Sequence, residues 1–405
     1  MPHGVARPLE GHHARIVEIR ERAVPISRYT DSQPSPNGLT TSVVSVRLDV
    51  WRRGKPVVGY GFASVGRYGQ GGLIRERFAP QLLAAARSAP HDSLSSNAAP
   101  PFDPSICWRQ MMQGEKPGGH GERCVAVGTL DMAIWDAAAK LADLPLREYL
   151  VRHLGLRPVE GDRIRAYASG GYPHEASDLA KLDSEIRGAV DQGFSCFKIK
   201  VGDRELRDDL KRVEIACRAL GSERCLAVDA MNRYAQDDGI GAARAFTAAG
   251  LMWFEDPCDP HAFEIQNLIA SACGIPLAVG EALFSQAEAR LLDLYGGLDR
   301  SKDILVFDPV HCYGLTGFLQ VFDTLKAAGW AERSFWPHGG SLFAQHVVHA
   351  LGLDGAELNL LAFAPFRGLA QGQDVVRGTI NVPAAPGVGF ETHPEMAPLF
   401  QALSS

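Results

Sequence analysis

The sequence predicts an α/β protein in which a (β/α) barrel follows an N-terminal α+β capping domain. Short apolar runs, typical of buried strands, recur through the middle of the chain, beginning with Phe197–Val201. The charged residues that end these runs are evenly spaced, with Asp229, Glu255 and Glu281 each 26 residues apart. One β/α unit takes about 30 residues, because a TIM-like barrel fits eight of them into about 250 residues. A charged side chain is therefore expected at each strand end, where barrel enzymes carry their functional groups.

Length, charge and composition indicate a globular protein without a membrane span. The chain has 405 residues, of which 46% are hydrophobic, which is enough for one large domain or two. A formal net charge of −6 gives no reason to expect nucleic acid or an anionic membrane as a partner. The chain has no apolar stretch as long as the ~18 residues of a membrane span, and its N-terminus lacks the apolar core of a signal peptide. The eight cysteines form no Cys-x-x-Cys pair, so reduced thiols in a cytoplasmic protein are expected.

The capping domain is predicted over residues 1–150. Alternating apolar residues predict a small antiparallel meander, with a loop from Ser27 to Gly38 between its first two strands. The strands are predicted at Arg15–Ile26, Thr40–Trp51 and Val57–Ala63. Helices are predicted at Arg75–Arg87, from Asp103 onward, and at Cys124–Lys140. The last helix carries Asp131 and Asp136, which we expect to anchor neighbouring loops rather than to bind a ligand.

The barrel is predicted over residues 151–375, and its first strand is Ile164–Ala168. The later strands are predicted at Phe197–Val201, Leu226–Asp229, Trp253–Glu255, Ala278–Glu281, Leu305–Asp308 and Phe335–His338. Residues 376–405 form a C-terminal segment, in which Gly378–Phe390 is predicted to be a strand with Pro and Gly turns.

Two lysines and three carboxylates are predicted to meet at the barrel mouth. Side chains alternate along a strand, so Lys198 and Lys200 lie on one face and point inward with Asp229, Glu255 and Glu281. At about 4 Å and an effective dielectric of about 20, each pair of carboxylates costs roughly 4 kcal/mol. Either their pKa values rise or a cation binds among them, and hard oxygen donors suit Mg²⁺ better than Zn²⁺. The alternative, that the three residues only close their strands, is disfavoured by their regular spacing.

Two further strand ends carry Asp308 and His338. They can form a hydrogen-bonded dyad across the barrel from the lysines, in which the carboxylate fixes the imidazole tautomer and raises its basicity. Three other histidines that follow Asp308 in the chain, His311, His346 and His349, are expected to be packed or exposed rather than to act as ligands.

The charged strand ends resemble those of the enolase superfamily, in particular its mandelate racemase/muconate lactonizing enzyme subgroup. The matching residues are Lys198, Lys200, Asp229, Glu255, Glu281, Asp308 and His338. The resemblance implies that the three carboxylates bind Mg²⁺ and that the C-terminal segment packs back on the capping domain. It also implies a homo-oligomer.

A finer resemblance is to the D-tartrate dehydratases of this superfamily. It rests on Gly66–Phe78, Glu115–Arg123, Val125–Lys140 and Trp336–Gly340. By this resemblance Lys116 contacts a substrate carboxylate. The sequence departs from the family pattern at Met231 and Ala282, where asparagine is common, and in the loop Ser27–Gly38.

The function that the resemblance implies is a lyase: a Mg²⁺-dependent dehydratase of a hydroxy (di)acid or acid sugar, tartrate-like. Lys200 abstracts the proton α to the substrate carboxylate, and Lys198 and the metal are expected to lower its pKa for this role. The metal stabilises the enediolate, and His338, held by Asp308, protonates the departing β-hydroxyl, which yields a 2-keto acid.

Other functions remain open from the sequence. If His338 instead reprotonates the α-carbon from the opposite face, the same residues make a racemase or epimerase of a 2-hydroxy acid. A non-catalytic binding barrel is less favoured, because the lysine, aspartate and histidine positions are intact. A Schiff-base aldolase barrel would not explain three carboxylates in register.

Overall fold

A three-stranded antiparallel sheet opens the fold. The computed structural model describes residues 14–27, 38–65, 68–88 and 102–404. The sheet has the order β1-β2-β3, formed by β1 (Ile16–Pro25), β2 (Thr40–Arg52) and β3 (Lys55–Phe62). The predicted meander is confirmed, while most of the predicted loop between its first two strands lies outside the described residues.

Helices follow this sheet along the chain. They are α1 (Gly71–Leu73), which continues through a π-helical turn (Ile74–Phe78) into α2 (Ala79–Ser88), then α3 (Pro104–Met112), α4 (Glu122–Leu141) and α5 (Leu146–Leu154). The α3 helix begins where predicted, because the Asp103 side chain accepts a hydrogen bond from Ser105 N at 2.8 Å. The α4 helix packs so closely on β3 that a Cβ at Gly59 would lie 1.9 Å from the Ala133 carbonyl oxygen. Glycine is therefore required there.

Eight parallel strand positions close the barrel. Seven are strands: β4 (Arg163–Gly170), β5 (Phe197–Lys200), β6 (Leu226–Asp229), β7 (Trp253–Glu255), β8 (Leu277–Val279), β9 (Ile304–Leu305) and β10 (Gly355–Asn359). The remaining position is a single parallel bridge from Leu305 to Phe335, and β10 closes the ring by pairing with β4. The predicted barrel is thus confirmed.

Seven helices connect these positions. They are α6 (Asp178–Asp191), α7 (Leu206–Leu220), α8 (Gln236–Ala249), α9 (Phe263–Ala272), α10 (Gln286–Tyr295), α11 (Gly314–Ala327) and α12 (Leu342–Leu351). An apolar layer fills the barrel beneath its charged mouth, formed by Tyr167, Ala227, Trp253, Ala278, Val306 and Trp336. Within the described ranges, no helix combines the length and apolar character that crossing a membrane requires.

The later strands are shorter than predicted. The β8 strand ends at Val279 and β9 at Leu305, so Glu281 and Asp308 lie in the loops that follow. The strand predicted at Phe335–His338 is wrong, since only Phe335 forms a bridge. Pro337 cannot donate to a strand ladder, although the N–H groups of Trp336 and His338 on either side of it donate to the Leu305 and Val306 carbonyls at 2.9 and 3.3 Å.

The C-terminal segment forms β11 (Val375–Val376), β12 (Thr379–Asn381) and α13 (Met396–Ser404). The strand predicted to run to Phe390 ends at Asn381, and β12 pairs antiparallel with the barrel strand β4. The contact with the N-terminal sheet is made by α13, in which the Leu403 carbonyl accepts a hydrogen bond from Arg20 and Ser404 lies 2.6 Å from the Tyr60 hydroxyl. The domain boundaries at residues 150 and 375 stay predictions.

Candidate active site

The parallel register of β5, β6 and β7 sets the lysine side of the mouth. Lys200 is paired in register with Asp229, and Asp229 with Glu255. Lys198 is fully buried, and its ammonium contacts Glu255 and lies 3.3 Å from Glu357 Oε1 and 3.5 Å from Asp229 Oδ2. A charge this deeply buried is stable only when paired, which the three carboxylates provide.

Lys200 is the more accessible of the two lysines. Its Nζ lies 2.5 Å from Asp229 Oδ2 and 5.4 Å from the centre of the Tyr172 ring. Burial would lower the pKa of Lys200, but the negative charge of Asp229 outweighs burial and raises it. The charge of Lys198 acts in the predicted direction but is a smaller influence than Asp229. That Lys198 and a bound metal together lower the pKa of Lys200 stays a prediction.

The three predicted metal ligands meet at one place. Asp229, Glu255 and Glu281 each offer a carboxylate oxygen, and these oxygens lie within 4.8 Å of one another. Burial raises the pKa of Glu255 to about 7, against the pull of Lys198. The pKa of Asp229 shifts in the opposite direction. Burial alone would raise it, but the charges of Lys200 and Lys198 outweigh burial and lower it. This set of hard oxygen donors fits a divalent cation such as Mg²⁺.

The imidazole side of the mouth is assembled from loops. Asp308 Oδ2 lies 3.0 Å from His338 Nδ1 and accepts a hydrogen bond from the Ser64 hydroxyl at 2.7 Å. Asp308 Oδ1 accepts a hydrogen bond from Val310 N at 2.6 Å. Despite burial, His311 and His338 lower the pKa of Asp308, so that it is a carboxylate. The structure thus brings the predicted dyad together.

His338 joins this dyad to the carboxylate cluster. Its Nε2 lies 3.3 Å from Glu281 Oε2, on the ring edge opposite Asp308. Burial alone would lower the pKa of His338, but the charge of Glu281 and the hydrogen bond to Asp308 raise it to about 10. Asp308 fixes the proton on Nδ1, so Nε2 is the nitrogen that faces the mouth.

Two buried carboxylates at the mouth were not predicted. Glu357 on β10 contacts Lys198 and accepts a hydrogen bond from Gly339 N at 3.1 Å. Although burial opposes it, Lys198 and His338 lower the pKa of Glu357 to about 2. The only sequence signal was a single glutamate inside the last apolar run of the barrel, Gly355–Asn359.

Asp256, the residue after Glu255, is the second. It is buried, and burial together with the charge of Glu281 raises its pKa well above the ordinary value. The Asn232 side-chain amide donates a hydrogen bond to it at 3.3 Å. Met231, the departure from the family pattern, donates its N–H to Asp229 Oδ1 at 2.8 Å. The methionine therefore supports a predicted ligand through its main chain, which any residue but proline could do.

Lys116 is not brought to the strand-end cluster by any contact between described residues. It is exposed in the loop between α3 and α4, and its carbonyl accepts a hydrogen bond from Arg123 at 3.0 Å. Arg123, in the first turn of α4, also pairs with Glu115 at 3.2 Å. The contacts of this arginine thus join the start of the loop to the helix that follows it. The role of Lys116 stays a prediction.

The acidic residues of α4 are structural, as expected. Asp131 accepts hydrogen bonds from the Thr316 N–H and hydroxyl at 3.1 and 2.9 Å. Asp136 accepts from Tyr60 N at 2.8 Å and from Val388 N at 2.7 Å. Both carboxylates anchor neighbouring segments.

Of the three histidines expected to be packed or exposed, two are packed away from the mouth. His346 accepts a hydrogen bond from Arg147 N at 3.1 Å, and its other nitrogen donates to the Val388 carbonyl at 3.0 Å. His349 lies 3.0 Å from the Gly161 carbonyl. His311 differs, because it is buried beside Asp308, with Nε2 3.7 Å from Asp308 Oδ2.

The fold and the site define a (β/α) barrel whose mouth carries a carboxylate cluster between two lysines and an aspartate–histidine dyad. The enolase C-terminal domain-like family matches residues 181–396, which is more than half of the chain. The chain therefore belongs to this family, as the resemblance in sequence predicted.

Comparisons with characterised proteins agree with this membership. Arabinonate dehydratase from Saccharolobus solfataricus is 26% identical over 279 residues, which cover 67% of this chain and 71% of that enzyme. L-talarate/galactarate dehydratase from Salmonella typhimurium is 30% identical over 237 residues, 58% of this chain and 55% of that enzyme, so this match spans about half of the relative. A solved racemase from Streptomyces coelicolor A3(2) with bound magnesium superposes with a TM-score of 0.74 at 23% identity, covering 96% of this chain and 99% of the racemase. The structural likeness shows the shared fold.

Proposed function

We propose that this protein is a Mg²⁺-dependent dehydratase of hydroxy acids of the acid-sugar class. The observation that carries the proposal is the arrangement of Lys200 and His338 on opposite flanks of the three-carboxylate cluster. Lys200 contacts Asp229 on one flank, and His338 Nε2 lies 3.3 Å from Glu281 on the other. The curated relatives named above, which are dehydratases of arabinonate and of talarate and galactarate, support this reaction class.

The residues proposed to hold Mg²⁺ are Asp229, Glu255 and Glu281. Their oxygens are close enough to share one cation, and the magnesium in the similar racemase structure supports the choice of ion. When bound, Mg²⁺ would supply positive charge beside the substrate carboxylate, where negative charge grows as the α-proton leaves.

Lys200 is proposed as the base. It must give up its own proton before it can accept the α-proton, and its nearest neighbours set how readily it does so. Asp229 favours the charged ammonium, whereas Lys198 disfavours it. Lys198 is held by Glu255 and Glu357, so it acts on Lys200 through its charge and not through contact with substrate.

His338 is proposed as the acid. Asp308 accepts a hydrogen bond from Nδ1–H, which leaves Nε2 to donate a proton to the β-hydroxyl as its bond to carbon breaks. Water leaves, and the enol that remains tautomerises to a 2-keto acid. Two groups on opposite flanks allow the α-proton and the hydroxyl to depart from different faces of the substrate.

The proposed substrate is a hydroxy mono- or diacid, from tartrate, a four-carbon dihydroxy diacid, up to six-carbon acid sugars. Lys116 is the candidate contact for a carboxylate far from the metal. The names of the relatives favour five- and six-carbon acids. We further propose a cytoplasmic homo-oligomer.

The test is a screen of acids with Mg²⁺ in D₂O, with arabinonate, galactarate and tartrate among them. The proposal expects 2-keto acid from at least one acid, loss of product with EDTA, and recovery when Mg²⁺ is restored. Deuterium uptake at the α-carbon without any keto acid would instead identify a racemase or epimerase. Neither product nor exchange with any acid would favour a binding protein.

The metal ligands are tested separately. The substitution Glu281→Gln removes one ligand charge and is expected to weaken Mg²⁺ binding in calorimetry by about 10- to 100-fold. Glu264→Gln, at an exposed glutamate of α9, is the matched control and is expected to change nothing. Equal Mg²⁺ affinity in both variants would remove Glu281 from the site.

A further inference from the structure

A second group of metal-ligating side chains lies beside the carboxylate cluster. Asp308, His311 and His338 each offer one donor atom, and the three atoms lie within 4.8 Å of one another. His338 Nδ1 is 3.0 Å from Asp308 Oδ2, and His311 Nε2 is 3.7 Å from the same oxygen. The centres of the His311 and His338 rings are 5.5 Å apart, and the angle between the ring planes is 36°. Two nitrogens therefore converge on one carboxylate oxygen.

The contacts of His311 indicate which of its nitrogens is a donor. Its Nδ1 lies 3.3 Å from the Glu281 main-chain carbonyl, which can only accept a hydrogen bond. In the neutral ring Nδ1 therefore carries the hydrogen, and the lone pair of Nε2 is directed to the side of Asp308. This is the tautomer that binds a metal through Nε2, with the other nitrogen oriented by a carbonyl.

The two clusters use different edges of the His338 ring. Nε2 faces Glu281 and the carboxylate cluster, while Nδ1 faces Asp308 and His311. Their chemistry also differs. Three carboxylates suit Mg²⁺, whereas two imidazoles and one carboxylate suit Zn²⁺ and the other late first-row ions.

We propose that Asp308, His311 and His338 form a second divalent-metal site, one that takes Zn²⁺ or Co²⁺ in preference to Mg²⁺. Binding replaces the proton on His338 Nδ1, and this proton is released to solvent. Asp308 and His311 are almost fully buried, so His338, whose side chain is 11% exposed, marks the entry from the barrel mouth.

Occupancy of this site removes the hydrogen bond on which the dyad depends. Zinc is therefore expected to inhibit turnover even when Mg²⁺ is saturating. The binding itself is independent of the proposed function, whereas the inhibition rests on it.

The experiment titrates the full chain with Zn²⁺ in calorimetry, and with Co²⁺ in visible absorption, in the presence of saturating Mg²⁺. The expected result is one further ion per chain and a cobalt spectrum with nitrogen ligands. The substitution His311→Asn keeps a side-chain N–H for the Glu281 carbonyl but lacks the ligand nitrogen. It is expected to weaken Zn²⁺ binding by about 100-fold.

His261→Asn is the matched control. His261 is an exposed histidine paired with Glu288 at 3.1 Å, and its loss is expected to leave the Zn²⁺ affinity unchanged. Mg²⁺ affinity, measured in each variant, reports whether the barrel mouth is intact. If His311→Asn fails to bind Mg²⁺, His311→Gln replaces it as the test.

The inference is overturned if Mg²⁺-saturated protein binds no further Zn²⁺, or if the ion binds equally well after His311 is replaced. A zinc site that depends on His311 in a protein that forms keto acid from no acid tested would support this inference and overturn the proposed function alone.

Discussion

The two flanks of the barrel mouth are built in different ways. On the lysine flank, Lys200 and Asp229 belong to neighbouring strands, and their pairing is fixed by strand register. On the imidazole flank, Asp308 and His338 lie in loops beyond a two-residue strand and a single bridge. Their positions depend on hydrogen bonds from elsewhere, including the Ser64 hydroxyl of the segment after β3. The base is thus placed by local geometry, and the acid by contacts between distant segments.

The largest expected effect is on the lysine flank. Lys200→Met removes the base, so both α-proton exchange and keto-acid formation are expected to fall by about 10³-fold. Proton NMR in D₂O and a keto-acid assay measure the two losses. Lys211→Met, at an exposed lysine paired with Asp208, is the control and is expected to keep both activities. Substantial exchange in the Lys200 variant would assign the base elsewhere.

On the imidazole flank, Asp308→Asn is expected to affect one step more than the other. The amide cannot replace the carboxylate that fixes and charges His338, so keto-acid formation is expected to fall by about 10²-fold. Exchange of the α-proton, which depends on Lys200, is expected to change much less. Equal loss of both in kinetic assays would mean that the two flanks do not act separately.

A smaller effect is expected from the support of the dyad. Ser64→Ala removes a hydrogen bond to a buried carboxylate, a contact worth about 1.5–3 kcal/mol. Keto-acid formation is expected to fall by about 10-fold, with Mg²⁺ affinity unchanged in calorimetry. Ser45→Ala, at a buried serine of the neighbouring strand β2, controls for the loss of a buried hydroxyl. A full loss of folding in the Ser64 variant would show a structural role instead.

The smallest effect on activity, and the clearest on stability, concerns α12, the helix after His338. Burial lowers the pKa of His346 to about 3, so the folded protein holds this histidine neutral. The unfolded chain takes up a proton near pH 6.5, and the folded chain does so only near pH 3. The stability from this group is therefore complete above pH 6.5 and is lost as the pH falls toward 3.

The substitution His346→Gln tests this dependence. The variant is expected to be less stable at pH 7, and the difference from the unsubstituted protein should shrink as the pH falls to 4. Urea unfolding at each pH measures it. A difference that stays constant with pH would mean that His346 does not titrate between the folded and unfolded states.

The lysine flank was largely predictable from the sequence. The strands Leu226–Asp229 and Trp253–Glu255 have the bounds that the apolar runs predicted, because buried parallel strands combine short apolar runs with a period of two. The convergence of Asp229, Glu255 and Glu281 followed from their equal spacing along the chain.

The imidazole flank was less predictable, since its contacts are not local. Ser64 and Asp308 are 244 residues apart in sequence, and nothing in either segment indicates the other. The ion pair between Glu357 and Lys198 forms only because the barrel closes through the pairing of β10 with β4. The role of this glutamate could therefore not be predicted from its own segment. The strand predicted at Phe335–His338 is reduced to one bridge, because Pro337 within the run has no N–H to donate to the ladder.

The separation of the two flanks is tested most directly by His338→Asn, assayed in D₂O with Mg²⁺ and an acid that the unsubstituted protein dehydrates. We predict that the variant still exchanges the α-proton, within about 10-fold of the unsubstituted rate, while keto-acid formation falls by about 10³-fold. Loss of exchange as severe as in Lys200→Met, or keto-acid formation at the unsubstituted rate, would contradict the assignment of base and acid to opposite flanks of the barrel mouth.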